Sequence, residues 1–324
     1  MEQTMRRAVL AASLATLGAA ATGHAQDFPT RPVRLVVPFS AGGNTDAIAR
    51  VIGPKVGEAL GQTLVVENRP SQSGVVGADV VARATPDGYT LLIHDTTFPV
   101  SPTLNRGLPH DIFKDFVPVG NVAGAPTTLV VRSGLPARTL AEVVALAKAR
   151  PGALSYATGS VGGTAHLAAL LFEEAAGIKL NHVPYAGAGQ AMNDLVGGHI
   201  DITFSALNAV RGLVDDGKVR AIATTAADRL PAMPSLPTFR ESGLPEVVVS
   251  AHWGIYTAAG TPAPVVAKLN AAFRAATESP EIRAELERRG YVAISNTPEE
   301  HARILREEFE KWGAIIRRAG IAQG

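Results

Sequence analysis

Apolar positions along the chain fall into short unbroken runs and longer stretches with a helical repeat, in a regular order. RLVVPF (34–39) reads as a strand and AIARVIGPKVGEAL (47–60) as a helix, bent at Pro54 where an amide donor is missing. TLVVEN is a second strand, residues 77–84 a second helix and YTLLIH a third strand. This strand–helix alternation predicts a parallel sheet with right-handed crossovers. Pro86-Asp87-Gly88 supplies the turn into the third strand.

The pattern then restarts. TTLVVR is a strand, and TLAEVVALAKA a helix with Thr139 as cap and Glu142 three residues on. ALSYAT is a strand leading into SVGGTAHLAALLFEEAAG, a second loop-to-helix unit. KLNHVPY, DITFSA and VRAIATT are further strands, with AGQAMNDLVGG as a helix between the first two. From Thr261 onward the spacing is helical, and the last segment carries Glu307, Glu308 and Glu310 ahead of Lys311, Arg317 and Arg318 on a solvated face.

Two similar α/β units predict two Rossmann-like lobes with a cleft between them and two chain crossings, at Val117–Pro126 and Val247–Thr257. The first lobe is then discontinuous, residues 27–124 with 254–324, and the second is 125–253. Trp253 and Tyr256 fall at the return crossing, as hinge packing or as cleft lining.

Composition narrows the setting. Of 324 residues, 46% are hydrophobic and 18% charged, so the chain is globular, and a net charge of +1 gives no pull toward nucleic acid. Arg6-Arg7, the short apolar run after them and Gly23-His24-Ala25 read as a cleaved export signal over residues 1–25. Its removal takes Arg6, Arg7 and Glu2 and leaves the formal charge at zero. The absence of cysteine excludes disulfides, thiol catalysis and a lipidated N-terminal cysteine. A soluble periplasmic protein without a lipid anchor is expected.

Two stretches carry the candidate chemistry. Ser40-Ala41-Gly42-Gly43 follows the first strand, and Asn44 or Thr45 can cap the next helix. TGSVGGTAH (158–166) repeats the arrangement in the second unit, with hydroxyls at Ser160 and Thr164. First-turn amides lack intrahelical partners, carry the positive end of the helix dipole and bind anions. Glycine lets a ligand come close to that backbone. Either stretch alone also fits an ordinary strand-to-helix turn. As a pair across a cleft, they would grip two carboxylates, or one carboxylate and another polar end.

Other chemistries lack their motifs. Neither loop has the G-x-G-x-x-G of dinucleotide sites, and no phosphate-binding P-loop or G-x-S-x-G elbow is present. His94, His110, His166, His182 and His199 are scattered, without metal-ligand spacing. No cofactor, no metal and no catalytic residue is expected.

PVRLVVPFSAGGNTDAIAR, GQTLVVENRPSQSGVVGADVVARATPDGYTLL, LSYATGSVGGTAHLA and HVPYAGAGQAMNDLVGGHIDITF together resemble the substrate-binding proteins of tripartite tricarboxylate transporters, the TctC or Bug family. GKVRAIATTAADRL, LPTFRESGLP, AAGTPAPVVAKLN and KWGAIIRRAGI extend the match over essentially the whole mature chain. The resemblance implies a type II-like periplasmic binding protein fold that closes on its ligand. It implies a small carboxylic acid as ligand: a di- or tricarboxylate, an acidic amino acid or an aromatic acid. The implied partner is a membrane permease of one large and one small subunit. Carried over residue by residue, the ligand-binding positions are Ser40, Gly42, Gly43, Asn44, Thr45 and Asp46 in the first lobe. In the second they are Ser160, Gly163, Thr164 and His166, with Tyr185, Gly187, Asp201 and Ser205 bordering the cleft. Thr96 and Thr97, after the third strand, are expected to face the ligand. Ala186 stands where the family commonly has lysine, and His94-Asp95 is bulkier than the family's small residues there. A sensory receptor presenting the ligand to a membrane sensor kinase, and an exported hydrolase using the same cleft, are the alternatives.

Overall fold

The computed structural model describes residues 28–105, 107–159, 161–185 and 187–321. The expected export signal, Ser160 and Ala186 lie outside the described residues. In chain order the first elements are Val33–Val37 (β1), Asn44–Leu60 (α1), Leu64–Asn68 (β2), Val75–Ala82 (α2), Thr90–His94 (β3) and Thr97–Leu104 (α3). Phe116–Arg132 (β4) leads to Leu140–Ala149 (α4), Ser155–Thr158 (β5), Thr164–Ala176 (α5), Asn181–Pro184 (β6), Ala188–Val196 (α6), Ile202–Ala206 (β7), Leu207–Asp215 (α7) and Val219–Thr224 (β8). Ser250–Ala258 (β9) then returns to Ala263–Glu278 (α8), Pro280–Arg288 (α9), Val292–Ala293 (β10) and Pro298–Arg318 (α10).

β1 pairs in parallel with β2 and β3, as the first apolar repeat predicts. Leu35, Val36 and Val37 are buried with helices packed over them, which is why β1 reads as an unbroken apolar run. α1 continues through Pro54. In the second unit β5 is parallel to β6 and β7. The capping box read at Thr139 is present: its hydroxyl accepts from Glu142 N–H while the Glu142 carboxylate accepts from Thr139 N–H.

The two crossing segments turn out to be strands paired with each other. β4 is 17 residues long and runs out of one half-sheet into the other. Its first part pairs antiparallel with β9 and β10, and its last part with β7 and β8. The β4–β9 ladder extends from Phe116 opposite Ala258 to Pro126 opposite Ser250. Each half-sheet therefore has its own main apolar core. One gathers Leu35, Ile48, Ile93, Ile255 and Phe273, the other Leu129, Tyr156, Leu167, Phe172 and Phe239. Full burial of each such side chain contributes about 1.5–3 kcal/mol before the entropy of ordering.

The last helix departs from the expected division. The sequence assigns α10 whole to the first lobe, yet only its first part packs there: Leu305 with Val36, Phe98 and Tyr256, His301 on Tyr256 and Phe309 on Phe113. Trp312, Ile315 and Ile316 lie in the second core, and Arg318 pairs with Glu174 at 2.8 Å. Apolar spacing shows that a helix is amphipathic, not which core its stripe covers.

Candidate functional site

Register fixes where the loops point. In the first half-sheet His94, the last residue of β3, lies opposite Gly254, while Leu91 lies opposite Thr257. β1 and β3 therefore run toward the Ser250 end of β9. In the second half-sheet Ala206, the last residue of β7, lies opposite Thr127 on β4, and β5 runs parallel to β7. The C-terminal ends of both sets of strands thus face the seam at Pro126 and Ser250, from opposite sides. Ligands of open α/β sheets sit beyond such strand ends.

The first loop is held by Asp46. Gly42 takes φ +84°, a left-handed value that favours glycine, and its N–H donates to Asp46 Oδ2 at 2.9 Å. Arg50 Nε and Asn68 Nδ2 also donate to this carboxylate, each at 3.0 Å. Burial pushes the Asp46 pKa up, but bonds from Arg50, Gly42 and Asn68 outweigh it and hold it at about 2. Thr45 Oγ1 accepts from Trp253 Nε1 at 3.0 Å, and Asn44 Oδ1 from the Tyr291 hydroxyl at 2.9 Å. Ser40 is exposed, and its carbonyl accepts from Gly43 N–H at 3.3 Å.

The second loop repeats this backbone with a different lock. Gly162 has φ +76°, and Gly163 opens α5 at φ −71°, ψ 166°, against −76° and 172° at Gly43. Gly162 N–H donates to His166 Nδ1 at 2.9 Å, the same four-residue span as Gly42 to Asp46. With Nδ1 accepting, the proton sits on Nε2, which is buried and has no partner among the described residues. His166 stacks on His182 at 4.3 Å between ring centroids, and Tyr156 stacks on His182 at 4.7 Å. Burial, with the neighbouring His182 charge, pushes the His166 pKa down to about 4.

Asp46 and His166 therefore brace their loops from behind through their side chains. The amides left open in front are those of Asn44, Thr45 and Asp46 in one loop and Thr164, Ala165 and His166 in the other. None of these has a hydrogen-bond partner among the described residues. α6 opens in the same way on Gly187, whose α-carbon faces open space. Among the other helices, Thr139, Ser279 and Thr297 each cap their own, whereas α7 and α8 start on Ala206 and Pro262 without a side-chain cap. A capping side chain would fill the amides a ligand needs.

The remaining expectations divide. Thr96 Oγ1 accepts from His252 N–H at 2.9 Å, and both the N–H and hydroxyl of Thr97 donate to Asp95 Oδ1, so both threonines are engaged within the protein. Asp95 accordingly caps α3; burial pushes its pKa up, but bonds from His94 and Thr97 hold it below the usual range. The Tyr185 hydroxyl donates to Asp194 at 2.6 Å. The Thr164 and Ser205 hydroxyls make no hydrogen bond to described residues, and Ser205 sits at the seam end of β7, opposite Thr128.

Asp201 requires correction. It precedes β7 at the end away from the seam, where it pairs with Arg132 at 2.8 Å and accepts from Ser155 N–H and Oγ. At about 3.3 Å per residue the length of β7 separates it from the cleft side. Sequence proximity to Ser205 hid that strand polarity. Sequence reasoning also missed α3, interrupted by Pro99 and Pro102, α7, and with it Leu207 and Asn208 at the seam.

Residues 48–321 match the family model of the tripartite tricarboxylate transporter family receptor, TctC. The chain is 34% identical to Protein BugT of Bordetella pertussis over 322 residues, 99% of each. Its structure superposes on the periplasmic binding protein BugD with a TM-score of 0.76 at 33% identity, covering 92% of this chain and 100% of the other. It superposes on R. palustris Rpa4515 with adipate with a TM-score of 0.79 at 34% identity, covering 91% and 99%. The chain belongs to the TctC family, with the two-lobed periplasmic binding protein fold. The family is one of solute-binding proteins rather than enzymes, which sets the hydrolase alternative aside.

Proposed function

From that membership we propose that the chain captures a small carboxylic acid between its two lobes and delivers it to a two-subunit membrane permease. The acid's class is a di- or tricarboxylate, an acidic amino acid or an aromatic acid. What supports the reading most is the pair of uncapped helix starts, with open amides on both sides of one seam. The adipate in a structural relative agrees with it. Three amides converging on a carboxylate form charge-assisted bonds, which strengthen as lobe closure removes water. The moving bodies are the first half-sheet with its helices and the second half-sheet with its helices, hinged where β4 and β9 cross, with the end of α10 carried on the second core. Residues 1–25 direct export to the periplasm, and among the described residues no helix is long and apolar enough to cross a membrane.

Ligand binding shifts an open–closed equilibrium, and the closed form is the one a permease reads. Calorimetry of the mature chain against organic acids is expected to find one tight 1:1 ligand and no turnover. Silence across dicarboxylates, tricarboxylates, acidic amino acids and aromatic acids would defeat the reading.

A further inference from the structure

The two flanks of the seam are built differently. In β1, β3 and β9 alternate residues enter different cores: Leu35, Ile93 and Ile255 one, Val36, Leu92 and Tyr256 another. α9 packs into the former through Leu286, and α3 and α10 into the latter through Phe98 and Leu305. α9 and the α3–α10 pair therefore lie on opposite faces of the first half-sheet. On the α3–α10 flank the halves are bound together. Both helices continue into the main core of the second half-sheet, α3 with Val100 and α10 with Trp312, Ile315 and Ile316. They also touch each other, where a side chain at Gly313 would meet Thr103 Oγ1. Arg318 pairs with Glu174 at 2.8 Å, and Lys311 Nζ donates to the Val248 carbonyl at 3.2 Å. Opening this flank would bring those buried apolar side chains into water.

On the α9 flank the halves meet at a point. The Asn208 side-chain amide, on the first turn of α7, donates to the Arg289 carbonyl, in the turn between α9 and β10. Gly290 has φ +78°, and a β-carbon there would collide with the Asn208 side chain, so it is glycine that lets the halves come this close. α7 is anchored in its own half by Leu207 and Val210, which pack with Val130 and Leu195. Beside the contact lies a cavity of about 610 Å3 lined from both halves, so packing across this flank is incomplete. Opening it breaks a hydrogen bond between neutral groups, which costs far less than unpacking the other flank.

We infer that the lobes swing about the α3–α10 flank, and that the Asn208–Gly290 contact is the clasp that holds the other flank shut. This rests on the reading of two moving lobes above, not on the chemistry of the ligand.

The chain has no cysteine, so spin labels can be placed in chosen pairs. Gly212→Cys on α7 with Ala284→Cys on α9, both exposed, spans the clasp flank. Val76→Cys on α2 with Ala145→Cys on α4, also exposed, spans the other. Distances are read by double electron–electron resonance on the mature, ligand-free chain. Gly290→Ala is expected to lengthen the clasp-flank distance by more than about 2 Å and to leave the other within about 1 Å. Asn208→Gly removes the bond without adding an atom and should lengthen it less. Asn208→Gly combined with Gly290→Ala removes the collision, and should bring the distance back to that of Asn208→Gly alone. A clasp-flank distance unmoved by Gly290→Ala would overturn the clasp. So would a Gly290→Ala shift that survives the addition of Asn208→Gly, since strain at the glycine itself would then be its cause. Equal shifts on both flanks would overturn the fixed side. Each of these results leaves the carboxylate reading to stand or fall by its own calorimetry.

Discussion

In the first lobe the loop that opens α1 is closed by a carboxylate, and in the second the loop that opens α5 is closed by an imidazole. The backbones are otherwise the same: a glycine at φ +84° or +76°, an extended glycine after it, and a bond from the first glycine's amide to the side chain four residues on. Asp46 is tied to Arg50 and Asn68 as well, whereas His166 has only stacked rings beside it. One backbone solution held by two chemistries indicates that the loop shape, and the open amides it presents, are what both lobes have in common.

The surroundings of the two left-handed glycines also differ, and this gives the largest expected effect. A β-carbon at Gly42 would meet nothing within 4 Å, whereas one at Gly162 would collide with Leu104. Gly42→Ala should cost about 1–2 kcal/mol, the price of a left-handed L-residue alone. Gly162→Ala should cost about 2–5 kcal/mol, because overpacking adds to it. Urea unfolding of the two variants checks this. Equal losses would mean that Leu104 moves aside freely.

Acid separates the locks next. An unfolded histidine titrates near 6.5, and His166 holds off its proton to about 4. Between those values the unfolded chain binds more protons, so stability falls as pH drops from about 6.5 to 4, by about 3 kcal/mol for this group. Protonated Nδ1 can no longer accept from Gly162. Asp46, about 2 when folded against 3.8 when unfolded, contributes about 2 kcal/mol that is complete above pH 4 and lost as pH falls to about 2. The second loop should therefore fail first. His301, buried and lowered to about 3 by its burial and His252, adds loss over a wider range, so the readout is the difference between wild type and His166→Asn. That variant keeps an acceptor and should flatten the 6.5-to-4 slope. An unchanged slope would remove His166 as the lock.

Removing the open amides asks whether the two loops act alike on a ligand. Proline at the first helical position lacks only an orphan N–H, and the extended glycine before it suits that neighbour. Asn44→Pro and Thr164→Pro should each weaken ligand binding about 10- to 100-fold, with the far-ultraviolet spectrum unchanged. Loss from one variant only would mean that a single lobe makes the grip.

Much of this was legible in the sequence, and the failures have definite causes. Period and order gave the strands of both half-sheets, and Gly42-Gly43 and Gly162-Gly163 marked the two helix openings. What spacing does not carry is direction. Asp46, His166, Thr97 and Tyr185 were read as ligand-binding positions, but their side chains turn back to satisfy local donors or acceptors. The chain crossings were read only as connections between the lobes, and it is the pairing with β9 that makes VPVGNVAGAP a strand. α7 escaped because LNAVRGLVD is only nine residues long and lies directly between two strands.

The smallest expected effect tests strand polarity itself, between the two ends of β7. Ser205 lies at the seam with its hydroxyl unengaged by described residues, and Asp201 lies at the other end in a network with Arg132 and Ser155. Asp201 is partly buried; burial pushes its pKa up, and bonds from Ser155 and Arg132 more than offset that. Asp201→Ala should therefore lower stability by about 1–3 kcal/mol, through donors left unpaired. Ligand affinity should stay within about twofold of wild type, while Ser205→Ala should reduce it by a further few-fold at most, about one neutral hydrogen bond. If Asp201→Ala weakened binding more than Ser205→Ala, the loops would have to meet at the opposite ends of these strands. The open amides of α1 and α5 would then have no seam to share.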